Sequence, residues 1–362
     1  MEEYIHSTFC EIDLKQLKKN IALIKKATKK GICFPIKADA YGHGLFEVAK
    51  VVEKLVDYFG IAHIAEGIEI RKKGINKPIL LFNPFFEKDV DLLIKYDIEP
   101  ALSSFQDLFL IKDKKMKVHL KIDTGMSRCG IDHLSAKDFF QDVKKNKGLK
   151  IKSIYSHLSC SEDILNQEND NQISRFLSFL DSIDKEDMLY HMCNSGGVIN
   201  YKKAYFDLVR PGLLAYGYLP CDSNNRYLKE IKPIFSLKSR ICLVKDVKKG
   251  SGVSYNRDFV AKEDLKVAII PIGYGDGYRF NLSNEADVLI KGKRCRILGR
   301  ICMDLLMADI SEIDAKKGDE VVLIGRQKTE EITAKELSEI LNTNIYEITC
   351  GITKRVKRKY LS

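Results

Sequence analysis

The segment Phe34-Pro35-Ile36-Lys37-Ala38-Asp39-Ala40-Tyr41-Gly42-His43-Gly44 carries the clearest chemistry in this chain. A lysine closes an apolar run, and a tyrosine and two glycines follow within seven positions. That layout suits a buried amine at a strand end, beside a turn whose backbone can approach a ligand closely. Desolvation lowers the pKa of a lysine in apolar surroundings. The neutral amine can then serve as nucleophile, base or Schiff-base partner. The same residues also fit an ordinary strand ending in a snorkelling lysine before a glycine turn. From this segment alone the two readings stand level.

Such an amine needs a scaffold. Up to about residue 215, short β-rich runs alternate with segments of helical period. Asp13 is placed to cap a helix with Leu17, Ile21 and Ile24 on one face and Gln16 at the capping-box position. Strands are predicted at Gly31–Lys37, Tyr58–Ala62, Pro78–Phe82, Glu99–Leu102, Lys117–Asp123, Lys150–Tyr155, Leu189–Cys193 and Phe206–Val209. Eight strands with intervening helices predict an α/β fold, a (β/α)8 TIM-type barrel over residues 12–233. A doubly wound open sheet is the competing topology, since alternation does not count closure.

Beyond Pro233 the pattern predicts a mainly antiparallel β domain over 234–362. Its strands are expected at Ile234–Val247, Leu265–Pro271, Ala286–Ile290, Arg294–Ile301 and Glu320–Ile324, with one helix at Ala334–Leu341 and a final strand at Ile345–Cys350. Residues 1–11 are expected to pair with this domain.

Composition narrows the class. A chain of 362 residues suits two domains, and 45% hydrophobic with 30% charged residues is ordinary for a soluble globular protein. No apolar run approaches the roughly 20 residues of a membrane span. The acidic Met1-Glu2-Glu3-Tyr4 lacks the pattern of a secretory signal, and the ten cysteines include no Cys-x-x-Cys. A cytoplasmic location, reduced thiols and no metal site are the expectations. The net charge of +10 comes from interleaved basic and acidic residues. The one dense block, Lys354-Arg355-Val356-Lys357-Arg358-Lys359, reads better as the solvated flank of a strand than as a nucleic-acid site.

In a parallel barrel, functional groups gather at the C-terminal ends of the strands. Lys37 and Tyr41 fall there, as do Asp123, Met126 and Arg128, then His157, Asn194, Ser195 and Arg210. Asn194-Ser195-Gly196-Gly197 offers a hydroxyl and a turn before a helix. Arg210-Pro211-Gly212-Leu213 offers accessible amides. Both suit a phosphate, and both are common turn and cap sequences.

Lys37-Ala38-Asp39-Ala40-Tyr41-Gly42-His43-Gly44 closely resembles the cofactor-lysine motif of the alanine racemases, which depend on pyridoxal 5′-phosphate. The resemblance continues through Lys121-Ile122-Asp123-Thr124-Gly125-Met126-Ser127-Arg128-Cys129-Gly130, Gly252-Val253-Ser254-Tyr255, Pro271-Ile272-Gly273-Tyr274-Gly275-Asp276-Gly277-Tyr278 and Gly299-Arg300-Ile301-Cys302-Met303-Asp304. It covers nearly the whole chain.

By that resemblance, Lys37 and Tyr255 are the two catalytic bases, Tyr255 coming from the other subunit of a head-to-tail homodimer with shared sites. Tyrosine's ordinary pKa near 10 means it needs positive charge or hydrogen bonding to act. The resemblance places Tyr41, Ser195, Gly212 and Leu213 at the cofactor phosphate and Arg210 at the ring nitrogen, with His157 orienting it and Asn194 nearby. It places Arg128 at the phenolic oxygen and the substrate, and Met303 at the substrate carboxylate. Lys121 is implied as a carbamylated partner of Arg128. Tyr274, Arg300, Asp304 and Tyr346 are entrance residues. Lys354 stands where some relatives carry a further phosphate-binding tyrosine.

The implied function is interconversion of L- and D-alanine by a two-base mechanism, supplying D-alanine for peptidoglycan. A racemase of serine or another small amino acid is the first alternative. A barrel-type decarboxylase would instead need an acid facing the ring nitrogen, and a non-catalytic cofactor carrier would not need residues 234–362. Neither nucleic acid nor membrane is an expected partner.

Overall fold

A computed structural model describes residues 7–185 and 187–362. The chain forms two compact units. One comprises residues 15–40 and 45–233, the other residues 7–14, 41–44 and 234–362.

In the first unit, eight strands pair in parallel: Gly31–Pro35, Tyr58–Ile61, Ile79–Leu81, Ile98–Leu102, Met116–Asp123, Leu149–Tyr155, Leu189–His191 and Leu208–Val209. The ring closes where Leu208 pairs with Gly31. Closure confirms the barrel and rules out the open sheet. Helices return the chain between strands. The first, Leu14–Thr28, buries Leu17, Ile21 and Ile24 completely on one face, as their spacing predicts.

Along each strand alternate residues enter the barrel. Cys33, Tyr58, Leu80, Ala101, Tyr155 and Leu208 form one buried cluster. The register sets Ala101 beside His119, and His119 beside Ser153. It also sets Tyr155 beside His191. Part of the barrel core is therefore polar.

After Pro35 the backbone does something the sequence does not predict. Residues Lys37–Gly42 make a left-handed helical turn, with φ of 52° at Ala38, 54° at Asp39, 52° at Ala40, 56° at Tyr41 and 82° at Gly42. Left-handed helical geometry costs an L-residue roughly 1–2 kcal/mol. Specific bonds hold it. The Ala38 N–H donates to Glu66 Oε1 at 2.6 Å, while the other carboxylate oxygen accepts from the Ala62 and His63 amides at 2.9 and 3.0 Å. Asp39 Oδ1 accepts from the Leu45 amide at 2.8 Å. At Gly42 a Cβ would lie 2.1 Å from the Thr349 carbonyl oxygen, so only glycine fits.

The second unit is mainly antiparallel. Its large sheet runs Lys293–Arg296, Asp287–Ile290, Glu320–Gln327, Phe235–Arg240, Phe9–Asp13, Lys357–Leu361, with Glu330–Ile332 added on Glu320–Gln327. A three-stranded sheet joins Leu243–Val247, Leu265–Ile270 and Leu306–Asp309. Phe9–Ile12 pair with Phe235–Lys238. Residues 1–6 of the segment expected to pair here lie outside the described residues.

Three expectations need correction. Ile234–Val247 is two strands in different sheets, because the chain passes between sheets at Ile241 and Cys242. The stretch taken for a final strand is a helix, Ile345–Gly351, capped by Asn344, whose side chain accepts from the Tyr346 amide at 3.1 Å. Its β-branched residues suggest a strand, but Ile348, Thr349 and Ile352 are buried at helical spacing. The closing strand, Lys357–Leu361, begins with the last three residues of the basic block and runs parallel to Phe9–Asp13. Arg358 is spent on the carbonyls of Gly42, Ile352, Thr353 and Val356. No helix among the described residues is long and apolar enough to cross a membrane.

Replacing Ala38 by glycine relieves left-handed strain of about 1–2 kcal/mol, against about 0.5–1 kcal/mol of added chain entropy in the unfolded state. The unfolding free energy of Ala38→Gly should therefore hold or rise by up to about 1.5 kcal/mol in denaturant titrations. A fall of that size, as in an ordinary helix, would refute the left-handed turn.

Candidate active site

Arg210 follows the last barrel strand and is buried. Its Nη2 shares two hydrogens among the Ser156 carbonyl at 2.6 Å, the Met192 carbonyl at 3.0 Å and His157 Nδ1 at 3.1 Å. Its Nη1 donates to His191 Nδ1. The guanidinium also lies 5.0 Å from the centre of the Tyr155 ring, on which His191 stacks at 4.8 Å. A guanidinium only donates, so both histidines must present bare Nδ1 atoms to it.

The neighbouring strand ends carry the other candidates of this unit. Asn194 caps the helix Ser195–Asn200, its Oδ1 accepting from the Gly197 amide at 3.0 Å, and its Nδ2 donates to the Leu158 carbonyl at 3.1 Å. Ser195 Oγ accepts from the Leu214 amide at 3.1 Å. That bond joins the two phosphate-type segments, since Gly212 and Leu213 open the turn Gly212–Ala215. Lys37 is half-buried, less enclosed than the apolar run implies. Asp123 turns away from catalysis, its Oδ1 accepting from the amides of Gly125, Met126 and Ser127. It shapes the loop that presents Arg128, which is exposed.

These groups form a cluster of like charge. Burial, aided by Arg128 and Arg210, lowers Lys121 to about 8, against the opposing pull of Cys129 and Asp123. Burial, with Arg210, Arg128, Lys121 and Lys37 around it, holds His157 well below the ordinary histidine range. Burial and the same arginine hold His191 down as well. Among the described residues, no carboxylate makes an ion pair with Lys121, Arg128 or Arg210. A cationic pocket of hydroxyls, amides and a donor-only guanidinium suits an anionic ligand with a basic ring nitrogen.

The second unit holds the remaining candidates. Ser254 at φ 66°, Asn256 at 58° and Arg257 at 54° push Tyr255 outward, leaving it 67% exposed. Ser254 Oγ donates to the Arg300 carbonyl at 2.6 Å, and Arg300 pairs with Asp258. The Tyr274 amide donates to the Cys302 carbonyl at 3.0 Å and the Gly275 amide to that of Met303 at 2.9 Å. Met303 is half exposed. Arg355 bridges Asp304 at 2.7 Å and Asp276 at 3.3 Å. Tyr255, Tyr274, Arg300, Met303 and Asp304 thus belong to one loop assembly. Tyr41 packs instead on Tyr346, ring centres 5.2 Å apart, and Lys354 is exposed.

Sequence reasoning missed Glu99, His119, Ser153, Tyr155 and His191. A signal was present: each stands on a strand where the core demands an apolar residue.

Both His157 and His191 are neutral in the fold, whereas the unfolded chain protonates them below about pH 6.5. The unfolded state then binds more protons, so stability is lost as pH falls below that value, by up to about 1.4 kcal/mol per pH unit for each histidine. His157→Asn should lose about 1 kcal/mol less than the parent between pH 7.5 and 5.5 in denaturant titrations. Identical losses would contradict a neutral His157.

Comparison with known proteins agrees with this geometry. Residues 12–220 match the alanine racemase N-terminal domain and residues 234–360 the alanine racemase C-terminal domain. The alanine racemase of Borreliella burgdorferi strain ZS7 is 38% identical, over 97% of this chain and 96% of its own. The solved alanine racemase of Clostridium difficile 630 superposes with a TM-score of 0.92 at 33% identity, covering 99% of this chain and 97% of that one. That of Bacillus anthracis, solved with bound L-Ala-P, gives 0.91 at 29%, covering 99% and 96%. With both domain families matched in order along one chain, this protein belongs to the alanine racemase family.

Proposed function

We propose that this protein interconverts L- and D-alanine with pyridoxal 5′-phosphate at the barrel mouth, as a homodimer with shared sites, and so supplies D-alanine for peptidoglycan. The observation that carries this reading is Arg210, a buried donor-only group with no carboxylate partner among the described residues. Facing a ring nitrogen, it donates a hydrogen bond without giving up its proton. That restrains the electron-withdrawing power of the ring, which suits reversible proton transfer better than decarboxylation.

The cationic cluster fits an anionic phosphate and phenolate. Lys37 would hold the cofactor covalently through its amine. Tyr41, Ser195 and the Gly212 and Leu213 amides would hold the phosphate, and Arg128 the phenolic oxygen. Asn194 fixes the turn beside His157. When bound, pyridoxal phosphate supplies the electron sink that acidifies the substrate α-carbon. The chain's own residues do the rest. Nζ of Lys37 takes or gives the α-proton on one face, and Oη of Tyr255 of the partner subunit does so on the other. The outward, strained setting of Tyr255 supports service in a neighbouring site. Met303 N–H and Arg128 receive the substrate carboxylate, while Tyr274, Arg300, Asp304 and Tyr346 wall the entrance. Lys121, with its pKa near 8, is partly an amine at neutral pH. It can take up carbon dioxide as a carbamate, releasing a proton and becoming an anionic partner for Arg128. The same residues accommodate serine, and the pocket's preference between these substrates rests on one hydroxyl. A cytoplasmic enzyme fits this role.

In deuterium oxide with added cofactor, the parent protein should convert L-alanine to D-alanine carrying α-deuterium. Lys37→Ala and Tyr255→Phe should each lose about 10²–10⁴-fold in rate. Mixed and allowed to exchange subunits, they should recover roughly a quarter of parent activity, because each hybrid dimer keeps one complete site. No recovery after demonstrated exchange contradicts the shared site, and carbon dioxide release contradicts the racemase.

A further inference from the structure

Behind Arg210 the barrel core carries a continuous polar chain. His191 Nε2 lies 2.9 Å from Ser153 Oγ, and Ser153 Oγ lies 2.6 Å from His119 Nδ1. His119 Nε2 lies 2.9 Å from Glu99 Oε2, and Glu99 Oε1 meets Lys117 Nζ at 3.3 Å. Glu99, His119, Ser153 and His191 are all nearly or fully buried. Each comes from a different barrel strand: Ile98–Leu102, Met116–Asp123, Leu149–Tyr155 and Leu189–His191.

The direction of the protons follows from the ends. Arg210 only donates, so His191 Nδ1 must accept and its proton sits on Nε2. That proton goes to Ser153 Oγ, whose own hydrogen goes to His119 Nδ1. His119 then carries its proton on Nε2 and donates it to the Glu99 carboxylate. Starting from Glu99, an acceptor only, gives the same arrangement in reverse. Burial opposes the Glu99 charge, but the His119 hydrogen bond and Lys117 prevail and hold its pKa below the usual range. Protonating His191 would set its Nδ1–H against the Arg210 N–H at a buried bond, which is costly.

We propose that His191, Ser153, His119 and Glu99 are positioning residues: a one-way hydrogen-bond chain that orients Arg210 and keeps its charge uncompensated toward the barrel mouth. The only anion of the chain is Glu99, and three neutral groups separate it from Arg210. His191 stacks on Tyr155, which the Arg210 and Lys121 cations also face, and His119 meets the edge of Tyr58. A carboxylate bonded directly to Arg210 would neutralise it. The chain instead supplies a neutral acceptor while still anchoring the guanidinium. This inference rests on the proposed reading for its catalytic consequence, though not for its geometry.

The test is nitrogen NMR of histidine side chains in the cofactor-free parent protein. In neutral solution His191 and His119 should each carry the ring proton on Nε2 and none on Nδ1. A charged ring, or a proton on Nδ1 of either, overturns the proposal. In the holoenzyme, Ser153→Ala should shift the His191 tautomer, lower kcat on the order of tenfold with little change in KM, and raise cofactor loss to the pyridoxamine form. Ser153→Thr, which keeps the hydroxyl, should restore all three. An unchanged tautomer and kcat in a folded Ser153→Ala protein would also overturn it. Should the parent lack racemase activity while showing the expected tautomers, the functional reading fails and the chain stands.

Discussion

Four successive non-glycine residues, Ala38 to Tyr41, are held in left-handed geometry, and the rest of the site depends on that constraint. Together they cost roughly 4–8 kcal/mol, comparable to the net stability of a whole domain. Such a turn persists only where its surroundings over-determine it. Glu66 accepts three backbone amides, one from the turn and two from Ala62 and His63, which lead into its own helix Ile64–Lys72. Asp39 reaches forward to Leu45, and Gly42 fits where no side chain can. The consequence is a lysine that leaves its strand in one fixed direction. Conformational freedom that a flexible loop would lose on binding is already gone in the free protein.

Charge is the second organising feature. Lys37, Lys121, Arg128 and Arg210 gather at the strand ends, and His157 and His191 each turn a bare Nδ1 toward the guanidinium. Burial makes the Lys121 and Arg210 cations expensive, and among the described residues no carboxylate paired with either offsets the cost. A phosphate ester would. The result is a concentration of positive charge suited to an anionic ligand, within which burial drives Lys121 toward its neutral form.

Much of this was legible beforehand, for physical reasons. Eight apolar runs separated by helical segments pointed to a parallel sheet covered by helices, but left barrel and open sheet both standing, and the pairing of Leu208 with Gly31 decided it. Lys37, His157, Asn194 and Arg210 stood out because each follows an apolar run, while the roles expected of them came from the family resemblance. Three things stayed hidden. Left-handed turns carry no composition signal unless glycine marks them, and Ala-Asp-Ala-Tyr gives none. The helix Ile345–Gly351 was disguised by β-branched residues whose burial only the tertiary structure reveals. The chain from Glu99 to His191 is spread over four strands, and no local pattern links residues 92 positions apart.

The most direct test of the central claim is borohydride reduction of the holo-protein followed by peptide mapping. If the left-handed turn presents Lys37 as the cofactor-bearing amine, a single reduced pyridoxyl adduct should appear, on the peptide containing Lys37. An adduct on Lys121 or any other lysine, with Lys37 unlabelled, would contradict the account.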